Sequence, residues 1–232
     1  QSAYGTLLPI DAIRITEATE GFEILLGKRV LKCLDTPGHA KHHIAIWDSI
    51  SKGVFTGDTF GLSYREFDTE NGGYVMPAWY DIIGRNLMDQ EDAEGIKRSA
   101  TSIIELIERE VQRGIDYRHI VLAGFSQGCA MALYIGLRLP HQLAGIIALS
   151  GYLPLALSLS IEKHSANQNT PIFMAHGTYD PVVILDRAQA SHALLEKLAY
   201  RVNWNEYPME HSVHHEELAD ISRFLQEVLP KN

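Results

Sequence analysis

The pentapeptide Gly124-Phe125-Ser126-Gln127-Gly128 constrains this chain more than any other stretch. An apolar run, His119-Ile120-Val121-Leu122-Ala123, leads into it, and a helix-like run, Cys129-Ala130-Met131-Ala132-Leu133-Tyr134-Ile135, leads out. Strand, sharp turn and helix are the setting of a Gly-x-Ser-x-Gly nucleophile elbow, which presents a serine hydroxyl at a helix N-terminus. In such a strained turn a Cβ at either flanking position is expected to clash, which accounts for glycine at both 124 and 128. The backbone N–H of Gln127, at the start of the helix, is a candidate donor to an oxyanion.

A serine hydroxyl at neutral pH is a poor nucleophile and needs a base within reach, itself oriented by a third group. Two downstream segments supply candidates. Pro171-Ile172-Phe173-Met174-Ala175-His176 reads as a buried strand that breaks at Gly177 into a loop carrying Asp180, the candidate orienting acid. The alternative for Asp180 is a turn former ahead of Pro181. Arg201-Val202-Asn203-Trp204-Asn205-Glu206-Tyr207 alternates like a strand, and Pro208-Met209-Glu210-His211-Ser212 follows as a loop that offers His211 as base. His214, His215 and His176 are its rivals. His214 and His215 precede Glu216 and Glu217 in what reads as the first turn of the last helix, and His176 sits at a strand end beside the acid loop. The order Ser126, Asp180, His211 puts each group at the C-terminal end of a strand, where catalytic loops gather in open α/β sheets.

The remaining pattern agrees with such a sheet. Helices are expected at about 91–114, 127–139, 185–200 and 216–229, and strands at about 118–124, 144–150, 171–176 and 201–207. Ile96, Ala100, Ile103, Ile104, Ile107 and Val111 recur at helical spacing and give the first helix one apolar face. Alternating strands and helices imply parallel pairing. Residues 153–169, rich in Leu, Ser and Asn, read as a cap or lid excursion.

These residues carry a resemblance. From residue 72 to 229 the chain resembles the bacterial carboxylesterase and acyl-protein thioesterase family of α/β-hydrolases, also described as phospholipase/carboxylesterase. The segments that carry it are Gly73-Tyr74-Val75-Met76-Pro77-Ala78-Trp79-Tyr80-Asp81-Ile82, Ala123-Gly124-Phe125-Ser126-Gln127-Gly128, Leu149-Ser150-Gly151-Tyr152-Leu153-Pro154, His176-Gly177-Thr178-Tyr179-Asp180-Pro181-Val182-Val183 and Tyr207-Pro208-Met209-Glu210-His211-Ser212. The resemblance implies an α/β-hydrolase fold, a mostly parallel, doubly wound sheet flanked by helices. It implies Ser126 as nucleophile, Asp180 as orienting acid and His211 as base. Trp79 and the 150–154 segment, with Leu153 and Pro154, would line the acyl pocket.

Residues 1–71 depart from that family. The family's His-Gly-Leu-Gly type loop, which gives one of two oxyanion donors, is absent. Leu34-Asp35-Thr36-Pro37-Gly38-His39 and Val54-Phe55-Thr56-Gly57-Asp58-Thr59-Phe60-Gly61 instead resemble the later part of a metallo-β-lactamase-fold hydrolase, whose metal ligands would be His39 and Asp58. A catalytic zinc usually takes three protein ligands. The family's other histidines are missing, so no functional metal is expected even with His42 and His43 nearby. The chain reads as a chimera joined near residues 71–73. Half of a lactamase sandwich would leave edges unpaired, so one domain over 1–232 is expected, with 28–34 and 52–57 lending strands to the hydrolase sheet. The loop after the first of these would then supply the second oxyanion donor from Gly38 or His39, since Pro37 has no N–H.

Composition sets the outer limits. A net charge of −9 and the lack of a Lys/Arg run argue against nucleic acid. Cys33 and Cys129 make a structural disulfide improbable, and a reducing cytoplasm fits. No signal peptide or membrane span is evident. The expected partner is a small ester or thioester; no cofactor is expected, and a homodimer is left open. The expected activity is a serine carboxylesterase acting through an acyl-enzyme, with short acyl chains preferred. The alternatives are a catalytically weak chimera with a half-built oxyanion hole and a metal-dependent lactamase-type hydrolase.

Overall fold

The computed structural model describes residues 19–26, 28–35, 44–48, 54–55, 68–71, 74–81 and 91–229. The chain divides into two compact units, Gln1–Arg65 and Glu66–Asn232. In the first, β1 (Glu23–Leu26), β2 (Arg29–Asp35), β3 (Ile44–Asp48) and β4 (Val54–Phe55) form an antiparallel sheet in sequential order. Strands at 28–34 and 52–57 were expected in the hydrolase sheet; β2 and β4 pair with β1 and β3 instead. Short connections explain the difference, because antiparallel neighbours need only a turn whereas a parallel partner needs a crossover of a dozen residues or more.

The second unit opens with a hairpin of β5 (Asp68–Asn71) and β6 (Tyr74–Pro77). Its main sheet is wholly parallel, in the order β10-β9-β8-β7, from β7 (Val121–Phe125), β8 (Gly145–Leu149), β9 (Ile172–Gly177) and β10 (Val202–Tyr207). The helices α1 (Ala93–Gln112), α2 (Gln127–Gly136), α3 (Ala156–Glu162), α4 (Leu185–Lys197) and α5 (His215–Val228) alternate with them. Each expected helix and strand is present, with ends moved by a few residues. α2 stops at Gly136, earlier than the expected 139, where a glycine and the nearby Pro140 weaken the helix.

Three apolar clusters hold these layers together. Residues of period two divide each strand between two faces. On one face Ile146, Ala148, Ile172 and Met174 pack with Cys129, Ala132, Leu133 and Leu137 of α2 and its end. On the other, Ile147, Phe173 and Ala175 pack with Phe224 of α5, Tyr207 and Met209. The outer side of α2, Ala130, Met131, Tyr134 and Ile135, meets Ile96, Ala100 and Ile107 on the apolar stripe of α1. α2 is therefore buried on all sides, as a helix of such uniformly apolar sequence must be. That anchors the serine at its N-terminus on the most deeply packed helix of the unit.

The 153–169 segment is a packed connection rather than an excursion. Leu159 of α3 is in the core, and the fully buried Asn167 accepts from the Leu143 and Thr170 donors while giving its amide hydrogens to the Leu139 and His141 carbonyls. Satisfying all four bonds of a buried amide fixes the segment in one place.

Candidate active site

β7 delivers Ser126 into a backbone conformation with φ 57° and ψ −119°, which a side-chain-bearing residue adopts only under constraint. Two features supply that constraint. The Ser126 N–H donates to the Leu149 carbonyl at 2.9 Å, tying the turn to the end of β8. A Cβ on residue 124 would lie 2.0 Å from the Gly128 carbonyl oxygen, so only glycine permits the chain to double back. The expectation for Gly128 is corrected: a Cβ there would meet only Trp79 Nε1, at 3.9 Å, an ordinary contact.

The candidate base and acid come from the loops after β10 and β9. His211 Nε2 lies 3.0 Å from Ser126 Oγ, and His211 Nδ1 lies 2.7 Å from Asp180 Oδ2. The Asp180 side chain is fully buried and that of His211 is 18% exposed. Asp180 Oδ1 accepts from the Val182 and Val183 N–H groups at 2.8 and 2.9 Å, so the carboxylate closes its own turn with one oxygen and faces the imidazole with the other. Gly177 lets the two loops approach, since a Cβ on it would stand 2.4 Å from the Met209 carbonyl oxygen. The rival histidines are occupied elsewhere. His214 caps α5 in a reciprocal capping box with Glu217, next to His215, the first residue of that helix. His176 is buried and bonds the Val183 carbonyl at 2.7 Å.

Around this chain of bonds, sequence patterns had missed three contacts. The Phe125 ring lies 4.7 Å from the His211 ring, centroid to centroid, and limits its rotation. The Gln127 side chain spans two peptide groups: its Oε1 accepts from the Trp79 N–H at 3.1 Å and its Nε2 donates to the Tyr80 carbonyl at 3.2 Å. The Ser99 hydroxyl of α1 donates to the Trp79 carbonyl. Trp79, read from sequence as a pocket wall, is thus half-buried beside the elbow with its backbone bonded on both sides. A short side-chain-to-backbone clamp leaves no periodic trace in a sequence. The best available signal was Ser99, a polar residue three positions after Ile96 beside the apolar face of α1.

Leu153 and Pro154 are both buried. Leu153 packs in the core with Leu159, Ala188 and Leu195, and its N–H donates to Ser191 Oγ at 3.0 Å. Gln127 is the first residue of α2, which puts its backbone N–H among the free donors at the helix N-terminus. Gly38, His39, His42, His43 and Asp58 lie outside the described residues.

Burial sets the electrostatics behind the site. It pushes the Cys129 thiol far above its ordinary value, so this cysteine is an inert packing group one turn into α2. Tyr80 and Tyr152 share a hydroxyl contact of 3.0 Å, and burial raises the Tyr80 phenol well above normal, with Tyr152 adding to it. The Arg187 guanidinium lies over the Tyr152 ring at 3.3 Å. No group of three or more His, Cys, Asp or Glu among the described residues is arranged to hold a metal ion. Among the described residues no helix is long and apolar enough to cross a membrane.

Comparison with known proteins agrees with this geometry. The sequence profile of the Phospholipase/Carboxylesterase family matches residues 60–229, beginning earlier than the boundary at 72 expected from motifs. Acyl-protein thioesterase 1 of Neurospora crassa is 45% identical over 171 residues, 70% of each chain. The Gibberella zeae protein of the same name is 42% identical over 168 residues, covering 69% of this chain and 72% of its own. Among solved structures, Arabidopsis thaliana SOBER1 superposes with a TM-score of 0.64 at 27% identity, over 68% of this chain and 77% of that one. Zea mays acyl-protein thioesterase 2 gives 0.61 at 26% identity, over 68% and 75%. The fold is that of the α/β-hydrolases. The family match begins at residue 60, and neither these relatives nor these structures give support to a lactamase-like fusion.

Proposed function

Because the chain belongs to the phospholipase/carboxylesterase family and is a serine hydrolase of esters or thioesters, we propose that Ser126, His211 and Asp180 form its catalytic triad and that the enzyme is a carboxylesterase. The observation that supports the triad best is the position of His211, bonded to Ser126 Oγ through one ring nitrogen and to Asp180 through the other. Asp180, an acceptor, fixes the proton on Nδ1 and leaves the Nε2 lone pair facing the hydroxyl.

In the first step His211 Nε2 takes the Ser126 hydroxyl proton as Oγ attacks the acyl carbonyl, and the carbonyl π electrons move onto oxygen. The Gln127 N–H donates to that oxyanion at the head of α2. Collapse breaks the bond to the leaving alcohol or thiol, which receives the proton from Nε2, and an acyl-Ser126 ester remains. Water, deprotonated by the same nitrogen, then attacks the acyl-enzyme; the acid leaves and Ser126 recovers its proton. Gly38 and His39 are not carried into the proposed oxyanion hole, because β2, the strand expected to bring them to the hydrolase sheet, pairs with β1 and β3 instead.

Short acyl chains are the proposed substrates, with Trp79, Leu153 and Pro154 around the acyl group. The names of the thioesterase relatives support thioesters as a second substrate class. For the residues before 60 the metallo-β-lactamase-like reading rests on the sequence motifs around His39 and Asp58 alone, since the family match begins at residue 60 and β5 (Asp68–Asn71) pairs within the second unit. Two free, buried cysteines support a reducing, cytoplasmic setting. The test is hydrolysis of p-nitrophenyl esters from acetate to palmitate, with an acyl thioester alongside. Turnover highest on the short esters and abolished in Ser126→Ala is expected. Turnover undetectable in the parent protein would favour a chimera with an incomplete oxyanion hole.

A further inference from the structure

Asp180 faces two imidazoles, and the proposed reaction uses one. His176, at the C-terminal end of β9, has no exposed surface; its Nε2 lies 2.7 Å from the Val183 carbonyl oxygen and 3.6 Å from Asp180 Oδ2. Only a protonated nitrogen can serve the carbonyl, so Nε2 carries the hydrogen. Nδ1 is then a bare lone pair, and it is buried without a hydrogen-bond partner. Leaving such an acceptor unmet costs free energy, which asks for a compensating role.

The turn supplies one. The peptide groups of Val183 are held from both sides: Asp180 Oδ1 accepts its N–H at 2.9 Å and His176 donates to its carbonyl. Asp180 Oδ1 also holds the Val182 N–H, and the Asp180 N–H reaches back to the Gly177 carbonyl at 3.3 Å. The acid thus rides on a four-residue turn whose far end is fastened to β9 by the His176 side chain alone among these bonds. The positive end of the same N–H dipole also lies beside Oδ2, the oxygen that His211 uses. We infer that His176 is a positioning residue for the orienting acid: its Nε2–H pins the Asp180–Val183 turn and shares the Asp180 charge, so that Oδ2 meets His211 Nδ1 in one geometry. This rests on the reading of Asp180 as the triad acid.

Other charged groups near His176 act elsewhere. Glu206, its register partner on β10, accepts from Gln189 and Trp204, and on α4, which packs against β9 and β10, Arg187 pairs with Glu91. Asp186 stands beside Arg187 in the first turn of α4. Asp180, whose Oδ2 lies 3.6 Å from His176 Nε2, is the titratable group that pairs with His176 among the described residues.

The experiment compares kcat, KM and the pH profile of kcat/KM for p-nitrophenyl butyrate in the parent protein, His176→Gln, His176→Phe, Asp180→Asn and the His176→Phe/Asp180→Asn double variant. Gln places an amide N–H where Nε2–H stands. It is expected to stay within about threefold of the parent, whereas Phe lowers kcat by about ten- to a hundredfold with KM little changed, the scale of a small misplacement of a catalytic group. The acidic limb of the Phe profile moves to higher pH, because the charge on Asp180 then falls more fully on His211. The double variant is no slower than Asp180→Asn, as required of a residue acting only through the acid. A Phe variant with parental kcat and profile but a lower Tm would reduce His176 to packing and overturn the inference. Should Asp180→Asn itself keep parental turnover, the triad reading fails instead. If the Phe variant does not fold, the parent protein still decides: imidazole 15N shifts must show His176 protonated at Nε2, and an Nδ1–H tautomer overturns the assignment.

Discussion

His211 Nε2 lies 3.0 Å from Ser126 Oγ across 85 residues of chain. Ser126 stands on α2, the helix with the most complete burial, while His211 stands on a loop after β10 at the other end of the sheet order. The two meet because parallel strands bring all their C-terminal ends to one edge. Ser126→Ala removes the proposed nucleophile, whose hydroxyl bonds only to His211 among the described residues. Turnover of p-nitrophenyl butyrate should fall by about 10⁴- to 10⁶-fold, with the thermal midpoint unchanged. Residual activity near the parental rate would refute the nucleophile.

Asp180→Asn tests the acid by its two oxygens. Oδ1 accepts two backbone N–H groups, so the Asn carbonyl must take that place and the amide NH₂ must face His211. A donor there forces the proton off Nδ1 and onto Nε2, where it blocks the serine. A loss of about 10⁴-fold in kcat is expected with little change in KM, read from steady-state kinetics at pH 7 to 8.

Much of this was legible in the sequence, for identifiable reasons. The elbow could be read because a strained turn leaves so few residue choices that Gly124 and Ser126 announce it. β8 and β9 could be read because strands buried on both faces are near-continuous apolar runs. The pairing of β1 to β4 could not, because alternation gives a strand's faces and not its neighbour. Nor could the Gln127 clamp on Trp79 and Tyr80, a contact spanning 48 and 47 residues with no spacing to betray it. For Leu153 the difficulty is chemical: an apolar residue after a strand suits a pocket wall and a core alike, so its packing with Leu159, Ala188 and Leu195 could not be read from the sequence.

The two elbow glycines should respond differently. Gly124→Ala puts a methyl 2.0 Å from the Gly128 carbonyl oxygen, a rigid backbone atom, and should prevent folding or lower Tm by more than 10 °C, on the order of a buried clash. Gly128→Ala meets only an ordinary contact and gains helix propensity of up to about 1 kcal/mol. Its Tm should match or exceed that of the parent by differential scanning fluorimetry. Equal damage from both would mean the turn needs glycine at 128 for the reason first expected.

Metal removal separates the serine reaction from a lactamase-type one. The proposed mechanism moves every proton through His211 and needs no Lewis acid. Incubation with EDTA should therefore leave p-nitrophenyl ester turnover unchanged. Inhibition that zinc reverses would point to His39 and Asp58 with further ligands.

Glu217 offers a test of stability away from the chemistry. It is fully buried at the start of α5, where Oε2 accepts the His214 N–H at 3.2 Å and Oε1 has no hydrogen-bond partner. Burial raises its pKa above the ordinary glutamate value, partly offset by the His214 N–H. A raised carboxyl means that the folded state resists the charge more than the unfolded state does. The charged form therefore costs stability above the folded-state value, and the cost disappears as pH falls through that value to the ordinary one. Glu217→Gln keeps the capping bond through its carbonyl oxygen and carries no charge. Its Tm should exceed the parent's by about 1 to 3 °C at neutral pH, and the gap should close as pH falls below the ordinary glutamate range. Because both proteins carry the same histidines, their protonation cancels from the difference. A Gln variant less stable than the parent at pH 7, by scanning calorimetry, would show that the carboxylate finds a favourable partner at that site.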